Sequence, residues 1–100
     1  MIDPEEIAAC IGFNWDEANA DKVLRRHGVS TEECEEAFAN APLVVSDDAR
    51  HSDRERRHCA MGHTDAGRVL FLVFTIRNNL IRVISARSAS RKERKEYPRP

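Results

Sequence analysis

The run from Arg68 to Ile76 constrains the fold most, because both of its alternating sets, Val69/Phe71/Val73 and Leu70/Leu72/Phe74, are apolar. Successive side chains of a strand point to opposite faces, so this run predicts a central strand covered on two sides over much of its length. Three further strands are expected after Pro42, at Leu43 to Ser46, Arg56 to Met61 and Leu80 to Ala86. The last three of the four strands are joined by short linkers, Thr64-Asp65-Ala66-Gly67 and Asn78-Asn79, both turn signals, which makes an antiparallel meander the expected topology.

The first 40 residues read as helices. Asp3-Pro4-Glu5-Glu6 offers a cap, a proline at the first helical position and early acids, so a short helix is expected to about Cys10, before Gly12. Asp16 caps a second helix whose Ala20, Val23, Leu24 and His27 share a face, with Gly28 placed to end it. Ser30 and Glu33 form a capping box for a third, with Cys34, Ala37 and Phe38 inward and Glu32, Glu33, Glu35 and Glu36 near its start. Ser90 and Glu93 make another box for a final helix to about Tyr97, which Pro98 and Pro100 prevent from continuing. The expected fold is α+β: a curved, four-stranded antiparallel sheet, the N-terminal helices packed on one face, and a short C-terminal helix. Residues 1–12 read as an appended segment and 13–100 as a single domain, with no internal repeat.

No window approaches the ~18 apolar residues of a membrane span. MIDPEEIAAC lacks the basic start and long apolar stretch of a signal peptide, so a cytoplasmic protein with no membrane partner is expected. Cys10, Cys34 and Cys59 are odd in number and unpatterned, which fits reduced thiols, Cys34 in the core. His51, His58, Cys59 and His63 match no standard zinc spacing, and neither a metal nor any other cofactor is expected. Ser85 lacks a glycine-rich elbow, which argues against a hydrolase triad.

Charge is divided along the chain. Residues 1–48 carry 12 acidic and 3 basic side chains, net −9, and residues 49–100 carry 5 acidic and 13 basic, net +8. The second half therefore suits a polyanion, unless the two halves neutralise each other in the folded monomer. Within it, Arg82 interrupts an apolar strand, Arg87 ends that strand, and Arg91, Lys92, Arg94 and Lys95 follow. An unpaired guanidinium is costly to bury, so Arg82 implies either a carboxylate partner or an open face that binds an anion such as phosphate.

Several pieces together resemble the BrnT-type toxins of bacterial type II toxin–antitoxin pairs, small relatives of RelE-like ribonucleases. They are Phe13-x-Trp15-Asp16, His27-Gly28-Val29-Ser30, Phe38, Gly62, Arg68 and its strand, Phe74-Thr75-x-Arg77, the run Ile81 to Arg87, and Glu93-Arg94-x-x-Tyr97. They span about residues 13–97 in order. The chain departs from the family at Asn19 and Val23, where lysine and asparagine are common, and in its acidic N-terminal segment. The resemblance implies a RelE-like fold, RNA as substrate, and RNA cleavage that inhibits translation. It also implies a BrnA-like antitoxin with a ribbon-helix-helix DNA-binding domain, through which alone operator DNA would be reached.

Cleavage through the RNA's own 2′-OH needs no metal. It requires a base, an acid for the leaving 5′-oxygen, and cations for the phosphorane-like transition state. His27 is the acid–base candidate, since imidazole titrates near pH ~6.5, or it simply caps helix carbonyls before Gly28. Arg77 and Arg82 are the expected catalytic cations, and Arg87, Arg91, Arg94 and Tyr97 the expected substrate contacts. One or more of the arginines could instead pair with Asp47, Asp48 or Glu93, and Tyr97 could instead clamp the core. Trp15 is expected in the core. The alternative function is a non-catalytic module that binds RNA or protein on the basic sheet face. Convergence of His27 with the arginines on one face distinguishes the two.

Overall fold

Asn78 and Asn79 both take left-handed backbone, with φ of 52° and 61°, and close a two-residue hairpin turn. The turn joins the two longest strands, Val69–Arg77 and Leu80–Ser88. The computed structural model describes residues 4–47 and 56–98. In chain order its elements are α1 (Pro4–Ala8), β1 (Gly12–Phe13), α2 (Glu17–His27), α3 (Thr31–Ala39), β2 (Val44–Asp47), β3 (His58–His63), β4 (Val69–Arg77), β5 (Leu80–Ser88) and α4 (Arg91–Glu96). The sheet order is β1-β5-β4-β3-β2.

Strands β2 to β5 form the expected antiparallel meander, but the sheet has five strands and is mixed. β1 runs parallel to β5, pairing Gly12 with Leu80 and Phe13 with Ile81. Ile11 N–H donates to the Asn79 carbonyl and Asn14 N–H to the Ile81 carbonyl, each at 2.8 Å, extending that edge. Two residues are too few to show alternation, and their partner lies far along the chain, so the sequence read Gly12 only as a helix stop. The helix before it ends at Ala8, short of Cys10, yet Ile7 and Cys10 pack against the core. The expected cap Asp3, and Asp48, His51, Asp53 and Pro100, lie outside the described residues.

Helices α2 and α3 cover one sheet face. Val23, Val29, Cys34 and Ala37 are at most 1 % exposed and meet Ala60, Leu70, Leu72, Phe74, Val83 and Ala86. Burial pushes the Cys34 thiol up to about 12, so it stays protonated and behaves as a small apolar side chain. Phe74 is the largest fully buried side chain, and truncating such a phenylalanine to alanine costs about 3–5 kcal/mol. Gly62 faces α3 so closely that an added Cβ would strike the Ala37 carbonyl oxygen. The even set of β4 is fully buried, whereas Val69, Phe71 and Val73 are only half-buried, so two-sided coverage of β4 is not realised.

The expected caps form. Ser30 with Glu33 and Ser90 with Glu93 make reciprocal boxes, and Gly28 ends α2 at φ 64°. Such a cap is worth about 1 kcal/mol. On α2, Asn19 rather than a glutamate closes the box with Asp16. Leu24 and His27, expected inward, are exposed, because Asn19 and Val23 are the residues that α2 turns toward the sheet. No helix among the described residues is long and apolar enough to cross a membrane.

Candidate functional site

Arg82 and Arg87 are five residues apart, so strict alternation would put them on opposite faces of β5. A bulge prevents this. The register passes from Val73 opposite Ser85 to Phe74 opposite Val83, which leaves Ile84 as an extra residue. Arg82 then lies opposite Thr75 and Arg87 opposite Phe71, positions on the same face of β4, which Arg77 also shares. All three strand arginines therefore stand on the sheet face that α2 and α3 leave uncovered.

Their environments differ. Arg82 has a 17 % exposed side chain and reaches the start of α2, with Nη1 donating to Asn14 Oδ1 and Nη2 pairing with Asp16 Oδ2, both at 3.0 Å. The Asp16 carboxyl is held below its ordinary value, chiefly by the Asn19 backbone N–H and then by Arg82. Asn19 is 5 % exposed and fully satisfied. Its Oδ1 accepts from Asp16 N–H at 2.8 Å, and its Nδ2 donates to the Asn14 and Val83 carbonyls at 3.1 Å. That side chain fastens α2 to β5 next to Arg82. Between the two elements lies a cleft of about 270 Å³ lined by Ala18, Asn19, Lys22, Arg57, Arg77, Arg82, Val83 and Ile84. Four of these eight residues are cationic.

Arg87 is clamped. Its Nη1 and Nη2 donate to Glu93 Oε1 and Oε2 at 2.7 and 3.0 Å, and its guanidinium lies 4.5 Å from the Phe71 ring centroid. Arg87, helped by the Ser90 N–H, holds Glu93 down to about 2. Tyr97 is 6 % exposed, its ring carried inward by the end of α4. Its hydroxyl donates to the Pro42 carbonyl and accepts from His63 Nδ1 at 2.8 Å, so Tyr97 takes the clamp position. Arg91 and Arg94 are exposed on α4, with Arg94 Nη1 within 3.4 Å of the Ala89 carbonyl. Trp15 is half-buried, its Nε1 donating to Glu35 Oε2 at 2.9 Å.

His27 does not join Arg77 and Arg82. It is the last residue of α2, whereas Arg82 pairs with that helix's cap, and ten residues at ~1.5 Å rise separate the two ends by about 15 Å. Its helical position is also about 140° round from Lys22. The neighbour of His27 is Arg68, which donates to the His27 and Gly28 carbonyls at 3.3 and 3.1 Å and pairs with Glu33 at 3.1 Å. Lys22 and Arg57 were not singled out from the sequence. The available signal was helical spacing, since Lys22 follows Ala18 at i+4 on the flank that Asn19 borders. Among the described residues, no group of three or more His, Cys, Asp or Glu side chains could hold a metal ion.

Residues 15–93 match the family described as the ribonuclease toxin BrnT of type II toxin–antitoxin systems. The chain belongs to this family. It is similar in fold to the crystal structure of the Brucella abortus ribonuclease toxin BrnT, with a TM-score of 0.56 and 22 % identity over 80 % of this chain and 97 % of that one. No curated protein matches the chain. The BrnT family's type II class implies an antitoxin partner and its ribonuclease name an RNA substrate. Asn19 is the buried pin between α2 and β5, while Lys22 faces the cleft.

Proposed function

We propose that the cleft between α2 and β5 binds the scissile phosphate of RNA, and that the chain cleaves RNA through its 2′-OH without a metal, inhibiting translation. The observation that carries this reading is the gathering of Lys22, Arg57, Arg77 and Arg82 in one cleft of a chain from a ribonuclease toxin family. Preorganised cations at the position where charge develops need no rearrangement during the reaction, and in a partly buried site they act more strongly than in water. Arg82 is central because it is held before substrate arrives.

A phosphate entering the cleft would compete with Asp16 for the Arg82 guanidinium. The released carboxylate would then stand beside the bound phosphate, positioned to accept the 2′-hydroxyl proton as that oxygen attacks phosphorus, while the departing 5′-oxygen would take its proton from water. Asp16 would thereby take the role expected of His27. His27, together with Arg91 and Arg94, would contact flanking RNA. Arg87 and Tyr97 would support the site by holding α4 on the sheet. The kinship with RelE-like nucleases belongs to the same reading, as does the view of residues 1–12 as an extension, packed on the domain through Ile7, Cys10 and Gly12. So does a BrnA-like antitoxin with a ribbon-helix-helix domain, whose acidic segment covers the cleft and whose complex alone reaches operator DNA.

Primer extension on cellular RNA after induction is the direct test. New 5′ ends that appear with wild type and vanish with Arg82→Ala and Asp16→Asn are expected, asparagine being able to keep the cap. Growth arrest without new 5′ ends would favour the non-catalytic binding module, the reading that the separation of His27 from the arginines supports.

A further inference from the structure

The flank of α2 opposite Lys22 borders a second depression. A groove of about 570 Å³ runs between α2 and the start of α3, lined by Glu17, Ala20, Asp21, Leu24, Thr31 and Glu32 among others. Its apolar floor is Ala20 with Leu24, and Leu24 is 55 % exposed. The rim is acidic. Glu17 and Glu32 each stand in the first turn of a helix, and Asp21 pairs at 2.9 Å with Arg25 across two exposed side chains, a contact of small energetic weight. The lining sets three carboxylates against one guanidinium, Arg25, so the exposed leucine lies in a net negative groove that repels RNA. A second copy seated on the same groove would set its own carboxylates against them.

We propose that this groove is a docking surface for the antitoxin, taking a basic amphipathic segment that lays an apolar side chain on Leu24 and lysine or arginine beside Glu17 and Glu32. Charge complementarity selects the sign of the occupant, and the exposed leucine supplies the anchor around which a small interface concentrates its affinity. The cationic cleft lies on the other flank of the same helix, so an antitoxin straddling α2 would engage both. The inference rests on the family's antitoxin partnership and not on the ribonuclease reading of the cleft.

The test is the affinity of purified, full-length cognate antitoxin for wild type, Leu24→Ser, and the double variant Glu17→Lys/Glu32→Lys, with RNA cleavage by the free toxin as the second readout. All three positions are on the surface, and matching circular-dichroism melts confirm that each variant folds. Leu24→Ser is expected to speed dissociation by about tenfold. The double reversal is expected to slow association by about tenfold at low salt, an effect lost at high salt. Activity of the free toxin on RNA should match wild type in both variants. Unchanged antitoxin affinity in both overturns the proposal. Loss of RNA cleavage with loss of binding overturns it too, because the groove would then belong to the substrate site. A concentration-dependent dimer that Leu24→Ser abolishes assigns the groove to a second copy and overturns it as well. If wild type itself cleaves no RNA, the ribonuclease reading fails while the affinity comparison still decides this one.

Discussion

The two flanks of α2 carry opposite chemistry within one helix of 11 residues. On one, Lys22 faces Arg57, Arg77 and Arg82 across a cleft suited to a polyanion. On the other, Leu24 lies between Glu17 and Glu32 in a groove suited to a cationic protein segment. Helical spacing makes this possible, since residues two apart point about 160° away from each other. The net −9 and +8 of the chain's halves therefore do not divide the surface into an acidic and a basic end. Lys22 from the acidic half stands in the basic cleft, and a helix position decides the field more than a place in the chain does.

The largest expected effect tests whether the Lys22 flank alone carries the reaction. Arg82→Ala should lower RNA cleavage by about 10²–10³, the cost of removing one preorganised charge-stabilising donor, with little change in melting. Cleavage within threefold of wild type, measured on a synthetic RNA at roughly the same protein concentration, would remove the cleft from the mechanism. Next comes the pin beneath that flank. Asn19→Ala leaves the Val83 and Asn14 carbonyls and the Asp16 N–H without their partner, so a loss of about 1–3 kcal/mol is expected in urea unfolding. Unaltered stability would mean that α2 is held mainly by Val23.

A smaller, pH-dependent effect separates Arg87 from Arg82. The Glu93 carboxyl is lowered in the folded state from 4.5 to about 2, so its contribution is present above about pH 4.5 and is lost as pH falls through about 2. Wild type should lose melting temperature over that window, and Glu93→Gln should show a shallower acid dependence. Identical acid profiles would show that the Arg87–Glu93 clamp adds nothing to stability. The smallest effect is expected at His27, which lies away from the cleft. His27→Ala should change cleavage less than about tenfold, below the usual contribution of a general acid or base. A hundredfold loss would restore it to the chemistry and break the contrast between the flanks.

Local patterns were legible wherever the deciding interaction lies within a few residues. The capping boxes at Ser30/Glu33 and Ser90/Glu93, the αL stop at Gly28 and the Asn78-Asn79 turn are of this kind, because their hydrogen bonds close within one turn of chain. The meander from β3 to β5 followed from alternation and short linkers, and the Arg87–Glu93 pair was among the alternatives the sequence left open. Only the tertiary structure decided the rest. The parallel β1 edge depends on a partner strand some 68 residues away in register. The extra residue at Ile84 leaves no local signature, yet it places Arg82 on the same face as Arg87 and Arg77. Which side of α2 meets the sheet was settled by the buried hydrogen bonds of Asn19 to the Val83 and Asn14 carbonyls, turning Leu24 and His27 to solvent. A periodic pattern fixes which residues share a face, whereas the choice of the face that is buried depends on the fit and polar satisfaction that a distant strand provides.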